Sequence, residues 1–134
     1  MSNGSWQSAP ASLVSLYAHY ADNDDDRLLD LFAPNAVLDT GQRCEGRDAI
    51  RATRASRPPR LMRHVCSNVV IDVIDERHAR GRCYLTAYVE AGDATELGLP
   101  AVVGEYQDEF VRSEDGWQFA SRVFKAALTR PTGQ

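Results

Sequence analysis

The chain has few cysteines and no paired arrangement of them. The chain has three cysteines, Cys44, Cys66 and Cys83, so they cannot all form disulfide bonds with one another. None belongs to a Cys-x-x-Cys motif or to a Cys/His cluster with metal-ligand spacing. This pattern argues against a disulfide-stapled scaffold and gives no signal for a metal centre. We expect reduced, mostly buried thiols.

The sequence also lacks long hydrophobic runs. No apolar stretch approaches the roughly 18 residues that a membrane span needs, and the first ten residues, MSNGSWQSAP, lack the basic and apolar regions of a secretion signal. We therefore expect a cytoplasmic protein that does not engage a membrane.

An excess of positive charge is missing as well. The net charge of −4 gives no general attraction to nucleic acid or to acidic membranes. The basic residues are nearly all arginines, and one stretch carries seven of them: Arg43, Arg47, Arg51, Arg54, Arg57, Arg60 and Arg63. Because no aromatic residues alternate with these arginines, a solvated helix face is favoured over a nucleic-acid patch.

What is present is the composition of an ordinary globular protein, with 43% hydrophobic and 25% charged residues. A chain of 134 residues is long enough to bury a core as one domain, which we expect to span 1–134 with its core at about 9–128. Apolar residues at helical spacing predict a first helix over 9–21, and Asp24 or Asp25 caps a second helix that extends to Phe32 and is ended by Pro34.

The remaining segments change from helical to strand character. A short strand at 36–39 and a helix over 47–55 precede four β-rich runs, at 61–74, 79–90, 101–112 and 116–128. Helices followed by antiparallel hairpins predict an α+β fold, with a long curved sheet covered on one face by the N-terminal helices.

Three ionisable residues lie in segments that otherwise have a buried pattern: Asp22 ends an apolar helical stripe, His64 lies in an apolar strand and Arg122 lies in the last strand. A buried charge is costly unless it has a partner or a function. The three residues therefore indicate a polar pocket or a buried salt-bridge cluster, and spacing alone leaves both open.

Period-2 alternation groups the strand residues that share a face. The groups are His64, Cys66 and Asn68; Tyr84, Thr86 and Tyr88; Tyr106, Asp108 and Phe110; and Gln118, Ala120, Arg122 and Phe124. One concave face with these polar and apolar groups is typical of a small-molecule pocket, although a β-bulge would shift part of the assignment.

Five segments resemble the SnoaL-like branch of the nuclear transport factor 2-like fold, in the group of scytalone dehydratase and the bile-acid dehydratases. They are Tyr-Ala-His-Tyr-Ala-Asp at 17–22 with Leu-Leu-Asp-Leu-Phe at 28–32, Arg-His-Val-Cys-Ser-Asn at 63–68, Gly-Glu-Tyr-Gln-Asp at 104–108, and Asp-Gly-Trp-Gln-Phe at 115–119 with Arg122. The likeness spans about 9–128. It implies a cone-shaped α+β barrel in which a curved antiparallel sheet wraps the helices around an internal cavity, and a homodimer formed through the outer face of the sheet.

The resemblance also implies roles for individual residues. Tyr17 and Asp22 match the family's Tyr and Asp positions, His64 matches its His, and Arg122 matches a late-strand Arg of some members. The chain departs from scytalone dehydratase because it has no second His in the sheet; Thr86 or Tyr88 is expected near that place.

The implied chemistry is proton transfer without a cofactor on a small cyclic, partly hydrophobic carbonyl compound, such as a polyketide-like or steroid-like molecule. His64, polarised by Asp22, removes a C–H proton next to the carbonyl, and Tyr17 stabilises the enolate. Dehydration, isomerisation and cyclisation share this step. The expected substrate contacts are Arg122, Asn68, Tyr84, Tyr88, Tyr106 and Asp108.

Each of these residues also has a purely structural interpretation. His64 and Tyr17 can be core residues, Asp22 can be the N-cap of the second helix, and Arg122 can pair with Asp108 or Glu105. On an unbroken helix Tyr17 and Asp22 are separated by roughly 140°, so we expect the first helix to end near Tyr20.

Two other functions stay open. One is a non-catalytic subunit resembling the small subunit of ring-hydroxylating dioxygenases, or a ligand-binding module with the same fold. The other, with less support, is a limonene-type epoxide hydrolase with an Asp-Arg-Asp set of Asp22, Arg122 and Asp108 and with Tyr17 and Asn68 positioning the water. A purely structural subunit does not need both His64 and Asp22 inside a cavity, so the position of this pair distinguishes the alternatives.

Overall fold

N-terminal helices and long C-terminal strands form an α+β fold in the computed structural model, which describes residues 9–91 and 96–131. The helical elements are α1 (Pro10–Asp22), a 3₁₀ helix (Asp26–Leu31) and α2 (Arg47–Ala55). The strands are β1 (Phe32–Asp39), β2 (Arg43–Glu45), β3 (Arg60–Val73), β4 (His78–Ala91), β5 (Val102–Ser113) and β6 (Gly116–Thr129). The α+β class is confirmed.

Helix α1 is longer at its C-terminal end than the sequence analysis expected. Pro10 occupies the start of the helix, where its missing N–H costs nothing, and the apolar stripe through Leu13 and Tyr17 is buried. The expected end near Tyr20 is wrong, because the helix continues to Asp22 and is followed by Asn23 as C-cap.

The second helix is a short 3₁₀ helix. The Asp25 side chain accepts a hydrogen bond from the Arg27 N–H at 3.0 Å and caps it, so Asp22 is not the cap. The helix ends at Leu31, and Pro34 lies within β1 instead of ending the helix. The three-residue strand β2 was not predicted, since three residues carry no readable periodicity.

The six strands form one curved sheet in the order β2-β1-β6-β5-β4-β3. All pairings are antiparallel except that β1 runs parallel to β6, which corrects the expectation of a wholly antiparallel sheet. Strands β2 and β3 stay at the two edges, so the cone is open and the sheet does not close on itself.

Strand pairing corrects the expected face of one group of residues on β4. Residues paired directly across antiparallel strands share a face, and His64 pairs with Ala87, which is only 4% exposed. The inner face of β4 therefore carries Cys83, Leu85 and Ala87, and the alternating Tyr84, Thr86 and Tyr88 lie on the outer face.

A β-bulge between Ser67 and Val70 corrects a second face assignment. Asn68 sits in this bulge with φ +54° and is exposed, so it does not continue the inner row of His64 and Cys66. The bulge displaces the alternation within the strand, and nothing in the local residue pattern marks its position.

The core lies between α1 and the inner face of the sheet. The rings of Tyr17, Phe32 and Phe119 pack together with centroid separations of 5.1–6.1 Å, and Phe110 extends the cluster along β5. This aromatic cluster holds α1 against the sheet and so positions the C-terminal end of the helix. Within the described residues, no helix combines the length and the apolar character needed to cross a membrane.

Candidate active site

A cavity of about 300 Å³ opens beside the C-terminal end of α1. Its walls come from α1, the end of β1, β2, α2 and the first residues of β3. Apolar side chains such as Leu38, Ile50 and Met62 form part of the wall. The polar lining residues are Tyr17, Asp22, Asp24, Thr40, Thr53, Arg54, Arg57, Arg60 and His64.

Asp22 and His64 form a close pair on this wall. Asp22 Oδ1 lies 2.5 Å from His64 Nδ1, and the backbone N–H of His64 donates to both carboxylate oxygens at 3.2 and 3.0 Å. The two side chains are only 8% and 15% exposed, respectively. Of the two interpretations of Asp22, helix cap or partner of His64, the structure supports the partner.

The pair follows from local structure at both residues. Asp22 is the last residue of α1, which packs along β3, and His64 points inward because it pairs with the buried Ala87. Tyr17 and Asp22 need not share one helix face, since Asp22 reaches sideways to β3 from the helix end while Tyr17 points into the core.

The Asp22 carboxylate determines which nitrogen of the His64 ring carries the hydrogen. An ionised carboxylate can only accept, so Nδ1 carries the hydrogen and donates it to Asp22. In the neutral ring this leaves Nε2 with a free lone pair, and within the described residues Nε2 has no hydrogen-bond partner. A neutral His64 therefore presents a base at the cavity wall, and the imidazolium that forms when it takes a proton is stabilised by Asp22.

Tyr17 contributes the buried hydroxyl of the cavity. Tyr17 is only 6% exposed. Burial raises the pKa of its hydroxyl, and the positive charges of Arg122 and Arg57 oppose this rise only in part. The Tyr17 hydroxyl also shares a hydrogen bond with the buried Tyr106, which lowers the pKa of Tyr17 in part. The phenol therefore stays protonated at neutral pH.

Arg122 and Asp108 form a buried ion pair away from the cavity lining. Arg122 Nε lies 3.1 Å from Asp108 Oδ1, but the N–H is poorly aimed at the oxygen, and neither atom has a well-formed hydrogen bond within the described residues. The guanidinium carbon lies 3.5 Å from the Tyr106 ring centroid and 4.4 Å from that of Tyr17. Burial raises the pKa of Asp108 to about 6, and the charge of Arg122 offsets only part of this effect.

The predicted site residues separate into two groups. The structure brings Tyr17, Asp22 and His64 together on one cavity. Within the described part of the chain, the six expected substrate contacts do not line that cavity. Arg122, Asp108 and Tyr106 are buried beneath it, while Asn68, Tyr84 and Tyr88 lie on the bulge or on the outer face.

The sequence analysis missed the arginines of the cavity. Arg54, Arg57 and Arg60 line it. The solvated-face interpretation is wrong for Arg54, which is 14% exposed, and for Arg47, which donates to the Phe32 carbonyl at 2.8 and 2.6 Å; Arg57 and Arg60 are exposed at the cavity. The Pro58-Pro59 pair could have indicated that Arg57 and Arg60 lie off the helix face. A helix does not continue through two prolines, so these arginines lie in the connection between α2 and β3.

Metal ligation has no support in the described residues, where no group of three or more His, Cys, Asp or Glu side chains converges. The absence of a cofactor stays a prediction. A curved, unclosed sheet packed on N-terminal helices, with a cavity between them that a partly buried His/Asp pair lines, is the architecture of the cone-fold α+β domains.

The chain belongs to the SnoaL-like domain family, which matches residues 9–123. A candidate scytalone dehydratase from Novosphingobium aromaticivorans has a similar structure, with a TM-score of 0.73 and 21% identity over 92% of this chain and 91% of that chain. The beta subunit of a candidate aromatic-ring-hydroxylating dioxygenase from the same organism superposes with a TM-score of 0.76 and 17% identity over 93% and 91%.

A third similar structure is that of Aln2 from a Streptomyces species, with a TM-score of 0.75 and 18% identity over 94% of this chain and 93% of that chain. At these identities the three likenesses show the fold alone. No curated protein matches the sequence. The organisation as one domain over 1–134 stays a prediction.

Proposed function

We propose that the protein is a cofactor-independent lyase or isomerase that acts on a small cyclic, partly hydrophobic carbonyl compound. The observation that carries this proposal is the 2.5 Å contact between His64 Nδ1 and Asp22 Oδ1 on the cavity wall. A histidine oriented by a carboxylate is the usual form of a general base. Membership of the SnoaL-like family supports small-molecule binding.

The size of the cavity supports a narrower range of substrates than the sequence analysis did. A volume of about 300 Å³ is at the lower end of the range for small-molecule pockets. This favours a monocyclic or bicyclic polyketide-like compound over a steroid.

The reaction begins with the transfer of a C–H proton, next to the substrate carbonyl, to Nε2 of His64. Asp22 stabilises the imidazolium, and the Tyr17 hydroxyl donates to the oxygen of the enolate. His64 then returns its proton to a leaving hydroxyl, which departs as water, or to another carbon. The first outcome is dehydration and the second is isomerisation, and cyclisation shares the same first step.

Hydrogen–deuterium exchange at the acidic C–H of 2-tetralone tests the first step without knowledge of the natural substrate. The probe is a bicyclic ketone, and its exchange in deuterated buffer is followed by mass spectrometry. We expect the protein to accelerate exchange, and His64→Gln to reduce the acceleration by about 100-fold or more, as is typical for loss of a general base.

His78→Gln is the matched control for this experiment. His78 also contacts a carboxylate, with Nδ1 2.9 Å from Asp75 Oδ1, but it lies exposed at a turn. The variant should exchange the probe like the parent protein. Equal exchange by His64→Gln and His78→Gln, with both variants folded, would contradict the proposal.

The alternative function is a non-catalytic subunit or ligand-binding module. The observation that favours it is the apolar content of the outer sheet face, where Val65 and Tyr84 are 49% and 52% exposed. Thermal melting separates a binding site from a purely structural pair: at a site, Asp22→Asn and His64→Ala should remove stabilisation by a bound probe with little effect on the ligand-free melting temperature. The exchange of 2-tetralone separates an enzyme from a ligand-binding module, which binds the probe without accelerating its exchange. A large fall in the ligand-free melting temperature would favour a structural pair.

The same face supports a homodimer. Val65 and Tyr84 are diagonal neighbours across the β3–β4 pairing and form a small exposed apolar patch on the outer face. Clustered exposed apolar side chains are a feature of interaction surfaces. We include a second copy of the chain, packed on this face, in the proposal.

A further inference from the structure

Three arginines line one side of the cavity over only seven residues of chain. Arg54 lies in the last turn of α2, Arg57 follows the helix, and Arg60 is the first residue of β3. The proton transfer proposed above needs a base and a hydroxyl, but it has no use for three guanidinium groups. Their position at the cavity therefore requires a separate explanation.

Arg54 has partners within the protein. Its side chain is 14% exposed, its Nη2 lies 3.7 Å from Asp24 Oδ1, and it donates to the carbonyl of Asp25 at 3.4 Å. The contacts are long, but they place a carboxylate and a carbonyl oxygen beside this guanidinium. Arg54 is thus partly neutralised.

Arg57 and Arg60 combine a place on the cavity lining with the lack of a side-chain partner. Other exposed arginines of the described residues also lack a partner, but they do not line this cavity: Arg77, Arg80, Arg82, Arg112 and Arg130. Arg27, Arg43 and Arg51 each form an ion pair with a carboxylate at 2.6–3.1 Å. Within residues 9–91 and 96–131, neither Arg57 nor Arg60 forms an ion pair or a side-chain hydrogen bond. The two cavity arginines therefore have unused donors.

The two charges also lie close enough to affect each other and the cavity. Partial burial and the neighbouring charge of Arg57 lower the pKa of Arg60, and the charge of Arg57 lowers that of the buried Tyr17. Like charges held together without a counter-ion repel, and an anion placed between them removes this repulsion. Among the described residues the cavity lining holds two carboxylates, and each lies against another partner: Asp22 contacts His64, and Asp24 lies 3.7 Å from Arg54.

The intervening residues keep the two arginines in position. Pro58 and Pro59 have fixed φ angles, and a residue before proline is restricted to extended conformations, so the backbone of Arg57 has little freedom. An arginine pair on a stiff segment loses less conformational entropy on binding than a pair on a flexible loop. Guanidinium groups match carboxylate and phosphate oxygens with paired hydrogen bonds.

We infer that Arg57 and Arg60 form an anion subsite at the cavity, so that the substrate carries a carboxylate or phosphate group in addition to its reacting carbonyl. This inference deepens the function proposed above, because it takes the same cavity as the substrate site. It does not depend on the proton chemistry, since an anion binds the arginines whether or not His64 acts as a base.

Two probes of nearly the same shape test the subsite. 2-Naphthoate carries a carboxylate where 2-acetonaphthone carries a neutral methyl ketone, and both affinities are measured by calorimetry at low ionic strength. The His64→Gln background excludes chemistry during the titration. We expect naphthoate to bind at least ten-fold more tightly than acetonaphthone, with a preference that falls as salt is added.

Variants of Arg57 and Arg60 test whether these two residues cause the preference for naphthoate over acetonaphthone. Arg57→Gln/Arg60→Gln should bring the naphthoate affinity to within about two-fold of the acetonaphthone affinity, and each single variant should lose part of the preference. Arg63→Gln is the matched control, because Arg63 lies on β3 beside His64 but is exposed on the opposite face, where it donates to the Met62 carbonyl at 2.7 Å. The control should keep the full preference.

Three results would overturn the subsite: no binding of naphthoate, equal affinities for the two probes, or a preference that survives in the double variant. None of them affects the exchange of neutral 2-tetralone, which tests the proton transfer. Conversely, a loss of exchange activity with an intact preference for naphthoate would reject the mechanism and leave the anion subsite in place.

Discussion

At the scale of single residues, the behaviour of the cavity depends most on Asp22. Its carboxylate accepts from the ring and from the backbone N–H of His64, so one side chain both orients the His64 ring and ties the end of α1 to β3. The sequence analysis singled out Asp22 and His64 because an ionisable group stood out in each apolar segment, and the resemblance to the SnoaL-like branch added Tyr17; their roles stay predictions. It could not tell that Arg122 points beneath the cavity, since a buried ion pair and a substrate clamp have the same sequence pattern.

The buried Asp108 gives a prediction on pH at this scale. Burial raises its pKa from 3.8 to about 6, so between these values the native state binds more protons than the unfolded state. The stabilising contribution of protonated Asp108 is complete below about pH 4 and is lost as the pH rises to about 6, a change of up to about 3 kcal/mol in the free energy of unfolding.

Urea unfolding of the parent protein and of Asp108→Asn from pH 4 to 7 measures this contribution. The asparagine cannot ionise, so the stability difference between parent and variant should shift in favour of the variant as the pH rises. A difference that stays constant, or that shifts in favour of the parent, would show that the ion pair with Arg122 outweighs the cost of burying the carboxylate.

At the scale of secondary structure, the irregular points of the sheet determine which side chains reach the cavity. The long strands and helix α2 were predictable, because their periodic patterns extend over nine or more residues. The bulge at Asn68 and the short strand β2 were not, because each depends on pairing with a distant strand. Neither the bulge nor the short strand produces a periodic pattern of apolar residues in the sequence.

Asn68 offers a test of the bulge. Its φ of +54° lies in the left-handed region, which glycine and asparagine tolerate and β-branched residues do not. Asn68→Gly should change the free energy of unfolding by less than about 0.5 kcal/mol, and Asn68→Val should lower it by about 1–2 kcal/mol. Chemical denaturation measures both changes.

The same two variants also check the position of Asn68 relative to the cavity. Because Asn68 is exposed and does not line the cavity, folded Asn68→Gly should exchange 2-tetralone at the parent rate. A valine variant as stable as the parent would contradict the left-handed conformation. A large loss of exchange in the glycine variant would place Asn68 at the site after all.

At the scale of the whole molecule, the order of elements along the chain determines the fold class. Helices followed by hairpins made the α+β cone predictable, and the family match over 9–123 agrees with it. The parallel pairing of β1 with β6 was not predictable, since its partners, such as Phe32 with Phe119 and Leu38 with Arg122, are far apart in the sequence. That pairing brings β1 and β2 alongside the last strand, where they form part of the cavity wall.

The outer sheet face gives a prediction on assembly. If two copies pack through this face, light scattering should give a mass of twice 14.8 kDa for the parent chain. Val65→Glu/Tyr84→Glu places two carboxylates on the apolar patch, and it should shift the mass toward 14.8 kDa because burying unpaired charges is costly.

Val73→Glu is the control for assembly. Val73 lies on the same strand and is 69% exposed, but it pairs with the buried Ala79 and so faces the other side of the sheet. This variant should keep the mass of the parent. A monomeric parent chain, or a double variant that stays dimeric, would reject the outer face as the interface.

The proton transfer at His64 is tested most directly by one ratio, the rate of 2-tetralone deuteration by His78→Gln divided by that of His64→Gln. Both variants remove a histidine that contacts a carboxylate, and of these two histidines His64 alone lines the cavity. The account predicts a ratio of about 100 or more. A ratio near one, measured on folded variants, would contradict it.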